Sequence, residues 1–242
     1  MNILGLPIEI LEAIIKKIRN TQSYINLRMT CYDFYKLMEV IIGFHEDGSI
    51  KMILPFYKHI PVDRHLHYHI NGIIRKIVTF NNRGKIHGDI CEFFNDASVA
   101  YKGRYINGNK YGTHYKFYSS GQSNEVLNYL FNRLNGYCYS YYPDGTTKCI
   151  RKMSLGKING AINYFWENGV PKYSAEFKYN ILHGNIQLFH NNGEKFIVGQ
   201  YNFGVPHGNF RFYSLDGVIM KRCRIFNGKK NGVYIEWHPN AI

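Results

Sequence analysis

Cys31, Cys91, Cys138, Cys149 and Cys223 include no C-x-x-C pair and are odd in number. That spacing argues against a zinc ribbon and a disulfide framework, and it suits reduced thiols in the cytoplasm or nucleus. Long apolar runs are also lacking. Nothing approaches the length needed to cross a bilayer, and Glu9 and Glu12 interrupt the apolar N-terminus before Lys16 and Lys17, unlike a signal peptide. The expectation is a soluble, unprocessed cytoplasmic chain. Acidic residues are scarce, 17 against 30 Lys and Arg, and the net charge of +13 favours acidic partners without choosing among nucleic acid, anionic lipid and acidic protein. No nucleophile elbow, P-loop, dinucleotide fingerprint or paired metal motif appears in its required context, so the reading is non-enzymatic, with no cofactor and no metal. What is present is 45% hydrophobic residues in a chain of 242, which excludes disorder throughout. The 21 Tyr, 16 Phe and 23 Gly favour strands and tight turns over helices.

Glycines at Gly88, Gly112, Gly136, Gly160, Gly184, Gly208 and Gly232 follow one another at intervals of 24 residues. Five residues after each stands an aromatic: Phe93, Phe117, Tyr141, Phe165, Phe189, Tyr213 and Trp237. Nine residues after come Gly121, Gly145, Gly169, Gly193 and Gly217, with Ala97 alone breaking the series. These second glycines usually follow Asp, Asn or Ser, a signature of hairpin turns. Four residues before the leading glycines, Gly84, Gly108, Asn132, Gly156, Asn180, Gly204 and Gly228 suit a left-handed conformation, so a second turn is expected there.

Between the turns, Tyr105, Tyr129, Met153, Phe177, Tyr201 and Ile225 follow Arg104, Asn128, Lys152, Glu176, Gln200 and Arg224, an alternation that reads as a strand. Each unit is then an antiparallel hairpin. Because a lone hairpin is marginal in water, successive ones pair into a continuous meander. With one residue inserted near Asn81 to Arg83, the pattern reaches back through Tyr68 and Gly72 to Phe44 and Gly48, giving about eight units over residues 41–242. At about 4.8 Å per strand the expected ribbon is roughly 75 to 80 Å long.

The segment Gly184-Asn-Ile-Gln-Leu-Phe189-His-Asn-Asn-Gly193, followed by Tyr201-Asn-Phe-Gly-Val-Pro-His-Gly208, resembles the MORN repeat, and more closely its degenerate variant in bacterial and viral proteins. The resemblance implies a mainly β scaffold, and some MORN proteins bind lipid.

Residues 1–40 have another pattern. Ile10, Leu11, Ile14, Ile15 and Ile18 recur at helical spacing, with Glu12, Lys16, Lys17 and Arg19 on the other side, while Pro7 and Glu9 suit a first turn. Leu27, Cys31, Phe34 and Met38, four, three and four residues apart, predict a second helical stretch. Leu6-Pro7-Ile8-Glu9-Ile10-Leu11, then Ile14 and Ile18, then Leu27-Arg28-Met29-Thr30-Cys31-Tyr32-Asp33-Phe34, resembles an F-box. That resemblance implies docking onto the Skp adaptor of a cullin-type ubiquitin ligase through Leu6, Pro7, Ile10, Leu11 and Ile14, with Leu27, Cys31 and Phe34 closing the helical core. F-box motifs joined to degenerate MORN-like repeats are similar to proteins of large DNA viruses, whose hosts supply the ligase. The alternative role is a helical pair capping the open edge of the repeat sheet.

His65, His67 and His69 alternate along a predicted strand, but the outer two are roughly 13 Å apart, too far to share one ion. His87, His183 and His207 precede leading glycines and read as turn residues. Interleaved basic and aromatic residues suggest a single-strand nucleic-acid platform, yet they recur by repeat position, which favours packing and makes nucleic acid an improbable partner. After position 40 stand 25 basic and 13 acidic residues, a charge of +12 on the sheet. The sequence therefore predicts a ubiquitin-ligase substrate adaptor whose sheet binds an unidentified target protein. The alternative is a scaffold or membrane-surface module on anionic lipid.

Overall fold

The computed structural model describes residues 25–30, 37–61 and 63–237. Every described element is a β-strand, and all strand pairs are antiparallel between strands that are near neighbours in the chain. The protein is a mainly β, open meander, as the glycine period predicted. The strands divide into two compact units between Asn109 and Lys110.

The first unit runs from Ile25–Thr30 through Leu37–Phe44, Ile50–Tyr57, Ile60–Pro61, Asp63–Tyr68, Ile74–Phe80 and Gly88–Phe93 to Val99–Ile106. Its start corrects the second predicted helix. Leu27 lies on a strand, opposite Val40, and Met29 lies opposite Met38. A helix of so few residues is marginal by itself, whereas the Leu37–Phe44 strand offers a row of backbone partners, so sheet pairing overrides the helical spacing. Leu37–Phe44 also runs across the expected boundary at residue 40. Leu6, Pro7, Ile10, Leu11, Ile14, Cys31 and Phe34 lie outside the described residues.

The second unit contains the long hairpin strands Asn109–Phe117, Ser123–Leu130, Gly136–Tyr141, Thr147–Ser154, Lys157–Phe165, Pro171–Lys178, Ile181–Phe189, Lys195–Asn202, Gly208–Tyr213, Ile219–Phe226 and Lys229–Glu236. Its core is a column of residues two positions after the leading glycines. His114, Cys138, Ile162 and Phe210 are buried there, opposite Leu127, Arg151, Ala175 and Cys223. Ile90 and, one residue being inserted before it, His65 occupy the same position in the first unit and are buried too. Large and small residues complement one another along the column. Gly199 lies under the Phe210 ring, where an added Cβ would collide with the ring.

The two kinds of turn differ in geometry. At the second glycines, three-residue loops close with the glycine N–H on a carbonyl three residues back, as in Gly145 to Tyr142 (2.9 Å), followed by a bulge. Only the glycine has positive φ, the pattern of a type I turn with a G1 bulge. The preceding Asp or Asn serves instead as a hydrogen-bond acceptor. Asp144 accepts the Thr146 N–H at 2.8 Å, and Asn168 accepts that of Val170 at 3.1 Å. The other turns are two-residue type I′ loops with positive φ at both positions, such as Leu155 (48°) and Gly156 (89°). Between Phe80 and Ile86 the extra residue is absorbed by a change of type, for Gly84 donates to Asn81 in a three-residue loop.

The leading glycines follow the type I′ turns, inside register shifts. Arg151 pairs with Ile162 but Met153 with Ile158, which leaves Asn159 to Ala161 bulged. Gly160 has φ 121°, and a Cβ there would come within 3.2 Å of Lys152 Cβ. Positive φ and close approach of the preceding strand together require glycine.

Candidate interaction surface

The second unit presents two faces and two lines of turns. Period two sends the buried column to one face and the residues beside it to the other. On the buried-column face, Leu127, Cys138 and Met153 form one apolar cluster, and Cys149, Ile162 and Ala175 another. On the opposite face polar pairs cross the strands: Thr113 Oγ1 donates to Asn128 Oδ1 at 2.7 Å, Ser174 Oγ to Asn163 Oδ1 at 2.7 Å, and Gln200 Nε2 to Asn185 Oδ1 at 3.1 Å. In each unit all the substantial contacts between elements join neighbouring strands, so no second layer of described residues packs on either face.

The predicted repeat aromatics Phe93, Phe117, Tyr141, Phe165, Phe189 and Tyr213 are half-buried, and Trp237 is exposed. They flank the core rather than form it. Their carbonyls receive ring donors from the preceding hairpin: His69 Nε2–H donates to Phe93 O (2.9 Å), Tyr118 to Tyr141 O (2.8 Å), Tyr142 to Phe165 O (2.9 Å) and His190 to Tyr213 O (3.1 Å). Trp166 holds the equivalent place, but its buried Nε1 has no hydrogen-bond partner. Lys172 Nζ stands 4.1 Å from the centre of its ring.

A second series runs along the type I′ turns. The N–H groups of Asn132, Gly156, Asn180, Gly204 and Gly228 donate to the carbonyls of Lys110, Leu134, Ile158, Leu182 and Pro206 at 2.7 to 3.1 Å. Where the turn residue is Asn, its side chain accepts in return: Asn132 takes the Lys110 N–H and Asn180 the Ile158 N–H. Where it is Gly, the residue before the leading glycine supplies the acceptor, as Asn135 does for Leu155 and His183 Nδ1 for Phe203. His87 and His183 thus serve the turns as the repeat predicted, by accepting an N–H of the next hairpin's turn, although His183 itself lies in the Ile181–Phe189 strand. His207 Nδ1 is buried without a partner.

Sequence reasoning missed the first residue of these I′ turns. Phe131, Leu155, Tyr179 and Phe203 adopt φ of 45° to 52°, a region costing an L-residue roughly 1 to 2 kcal/mol. All four are more than half exposed. The available signal was an apolar residue repeatedly placed just before a turn Gly or Asn.

His65 is buried between the Phe56 and Phe80 rings, with Nε2 donating to Pro55 O at 2.9 Å. Burial holds His67 below its ordinary pKa, assisted by Arg75 and Lys76. Burial also pushes the Cys91 and Cys149 thiols up, away from the reactive thiolate. Among the described residues no three His, Cys, Asp or Glu side chains group as metal ligands, and no helix is long and apolar enough to cross a membrane. No protein-family model matches the chain, and no curated protein matches it.

Proposed function

We propose that the chain is a non-enzymatic substrate adaptor of a Skp-cullin-F-box-type ubiquitin ligase, with its N-terminal segment docking the Skp adaptor and its repeat sheet holding a target protein. The observation that carries this reading is the ordered series Leu6-Pro7-Ile8-Glu9-Ile10-Leu11 with Ile14, which resembles the opening of an F-box. Leu6, Pro7, Ile10, Leu11 and Ile14 are the docking residues in this proposal. Leu27 is left out because it lies on a strand. The open β meander supports the second half of the reading, since its described residues offer two strand faces and two rows of turns.

Co-purification from a eukaryotic lysate tests it. Retention of the Skp adaptor by the intact chain, and its loss in a Leu6→Ala, Pro7→Ala variant, is the expected result; equal retention or none defeats the proposal. The charge of the sheet favours one rival, a scaffold on anionic lipid, which requires salt-sensitive sedimentation with liposomes that survives deletion of residues 1–38.

A further inference from the structure

The two rows of turns in the second unit differ in charge. The residues at the type I′ turns, 130–134, 154–158, 178–182, 202–206 and 226–230, include Arg133, Lys157, Lys178, Lys229 and Lys230 but no Asp or Glu. The residues at the opposite turns, 142–146, 166–170, 190–194 and 214–218, include Asp144, Glu167, Glu194 and Asp216 but no Lys or Arg. The type I′ turns thus carry cations without carboxylates, whereas the opposite turns carry carboxylates with lysines close by, Lys148 over the Tyr142 ring and Lys172 over the Trp166 ring.

The basic row also carries apolar groups where turns normally carry small polar ones. Phe131, Leu155, Tyr179 and Phe203 are 58%, 52%, 55% and 54% exposed, and Ile181, Val205 and Phe226 beside them are exposed too. The next hairpin has Asn227 at the same position, a residue that tolerates positive φ far better than a bulky one. Four consecutive hairpins thus hold a large apolar residue in an unfavourable conformation that swings its side chain into solvent. Phe131 and Phe203 each keep a ring neighbour, Tyr111 at 5.8 Å and His183 at 4.4 Å, yet all four stay more than half exposed, and backbone strain of this kind is characteristic of binding sites. Each tip is separated from the next by two strand spacings, about 9.6 Å.

We infer that this row of type I′ turns is a docking surface for an extended acidic segment of a partner protein, one in which carboxylates alternate with aromatic or aliphatic residues. Its apolar side chains lie between the turn tips and its carboxylates meet Arg133, Lys157, Lys178 and Lys229. Charge complementarity selects the acidic chain, and the +13 charge of the protein opposes a second copy. An extended chain also follows the tips of a twisted sheet, which a flat bilayer does not. The surface names the class of target for the adaptor reading and rests on that reading for its biological role alone.

The test uses the full chain and fluorescent peptides. One repeats Glu-Leu-Glu-Phe, a second replaces Glu by Lys, and a third replaces Leu and Phe by Gly. A variant carrying Phe131→Asn, Leu155→Asn, Tyr179→Asn and Phe203→Asn keeps the turns, because Asn suits their backbone, and its unfolding midpoint should not fall. The acidic-apolar peptide is expected to bind on the order of tenfold or more tighter than either control, with that advantage lost in the variant and reduced at high salt. Equal binding of the three peptides, or undiminished binding by the variant, overturns the inference. So does a preference for phosphatidylserine vesicles that the variant abolishes while peptide binding stays unchanged, or a concentration-dependent dimer that the variant abolishes. Retention of the Skp adaptor does not depend on these substitutions, so failure here leaves the N-terminal docking intact, and the reverse also holds.

Discussion

Ala97 occupies the position that glycine fills in neighbouring hairpins, and it adopts φ 69° there. Its turn is otherwise complete: Ala97 donates to Phe94 O, and Asp96 receives both the N–H and the hydroxyl of Ser98. The Cβ alone is out of place. Ala97→Gly is expected to stabilise the protein by about 1 kcal/mol, because relief of the left-handed strain outweighs the added freedom of the unfolded chain. A rise in denaturation midpoint with an unchanged slope is the result to look for, and a fall would show that the strain is relieved in some other way. Asp96 itself illustrates how little of a side chain's role is visible in its neighbourhood along the sequence. The dipeptides before the second glycines suggest residues chosen for positive φ, yet only the glycine turns left-handed, while the Asp or Asn accepts an N–H two residues on.

At the scale of the hairpin, these Asx contacts make the turns sensitive to acid. The Ser98 hydroxyl and then its N–H hold the Asp96 carboxyl below its usual value, and Ser49 does the same for Asp47. A carboxyl with a lowered folded pKa contributes stability that is full above the unfolded value, near 3.8, and lost as pH falls through the folded one. In a pH titration followed by carboxyl NMR, Asp96 should titrate below an ordinary Asp and move upward in a Ser98→Ala variant; no movement would remove the hydroxyl from the account. Hairpins are tied to each other by a different set of groups. Asn71, Asn168 and Asn192 donate to carbonyls of the next turn, Asn95, Asn191 and Leu215, which Asp cannot do because an ionised carboxylate has no donor. The same logic sets Trp166 apart. Its ring replaces the Tyr or His of neighbouring hairpins, and its N–H finds no acceptor.

Because the substantial contacts among the described strands join neighbouring ones, the molecule should respond to damage locally. Gly199→Ala forces a methyl against the Phe210 ring, at an expected cost of about 1 to 3 kcal/mol. Hydrogen exchange should accelerate in Ile181–Phe189, Lys195–Asn202 and Gly208–Tyr213 and stay unchanged in Ile50–Tyr57; equal acceleration throughout would mean one cooperative unit instead. The sequence by itself determined the period, the sites of both turns and the antiparallel meander, because Gly88 through Gly232 answer a local need for positive φ that any neighbour-blind reading detects. Only the tertiary structure decided which residues form the core. Cys138, Ile162 and Phe210 are buried, while the regularly spaced aromatics from Phe93 to Tyr213 lie at its margin, since burial depends on the strands on either side. Pairing with Leu37–Phe44 likewise placed Leu27 on a strand against its helical spacing. The outward swing of Phe131, Leu155, Tyr179 and Phe203 was illegible for the same reason: an apolar residue before a turn reads alike whether it faces the core or the solvent, and the type I′ geometry settles which.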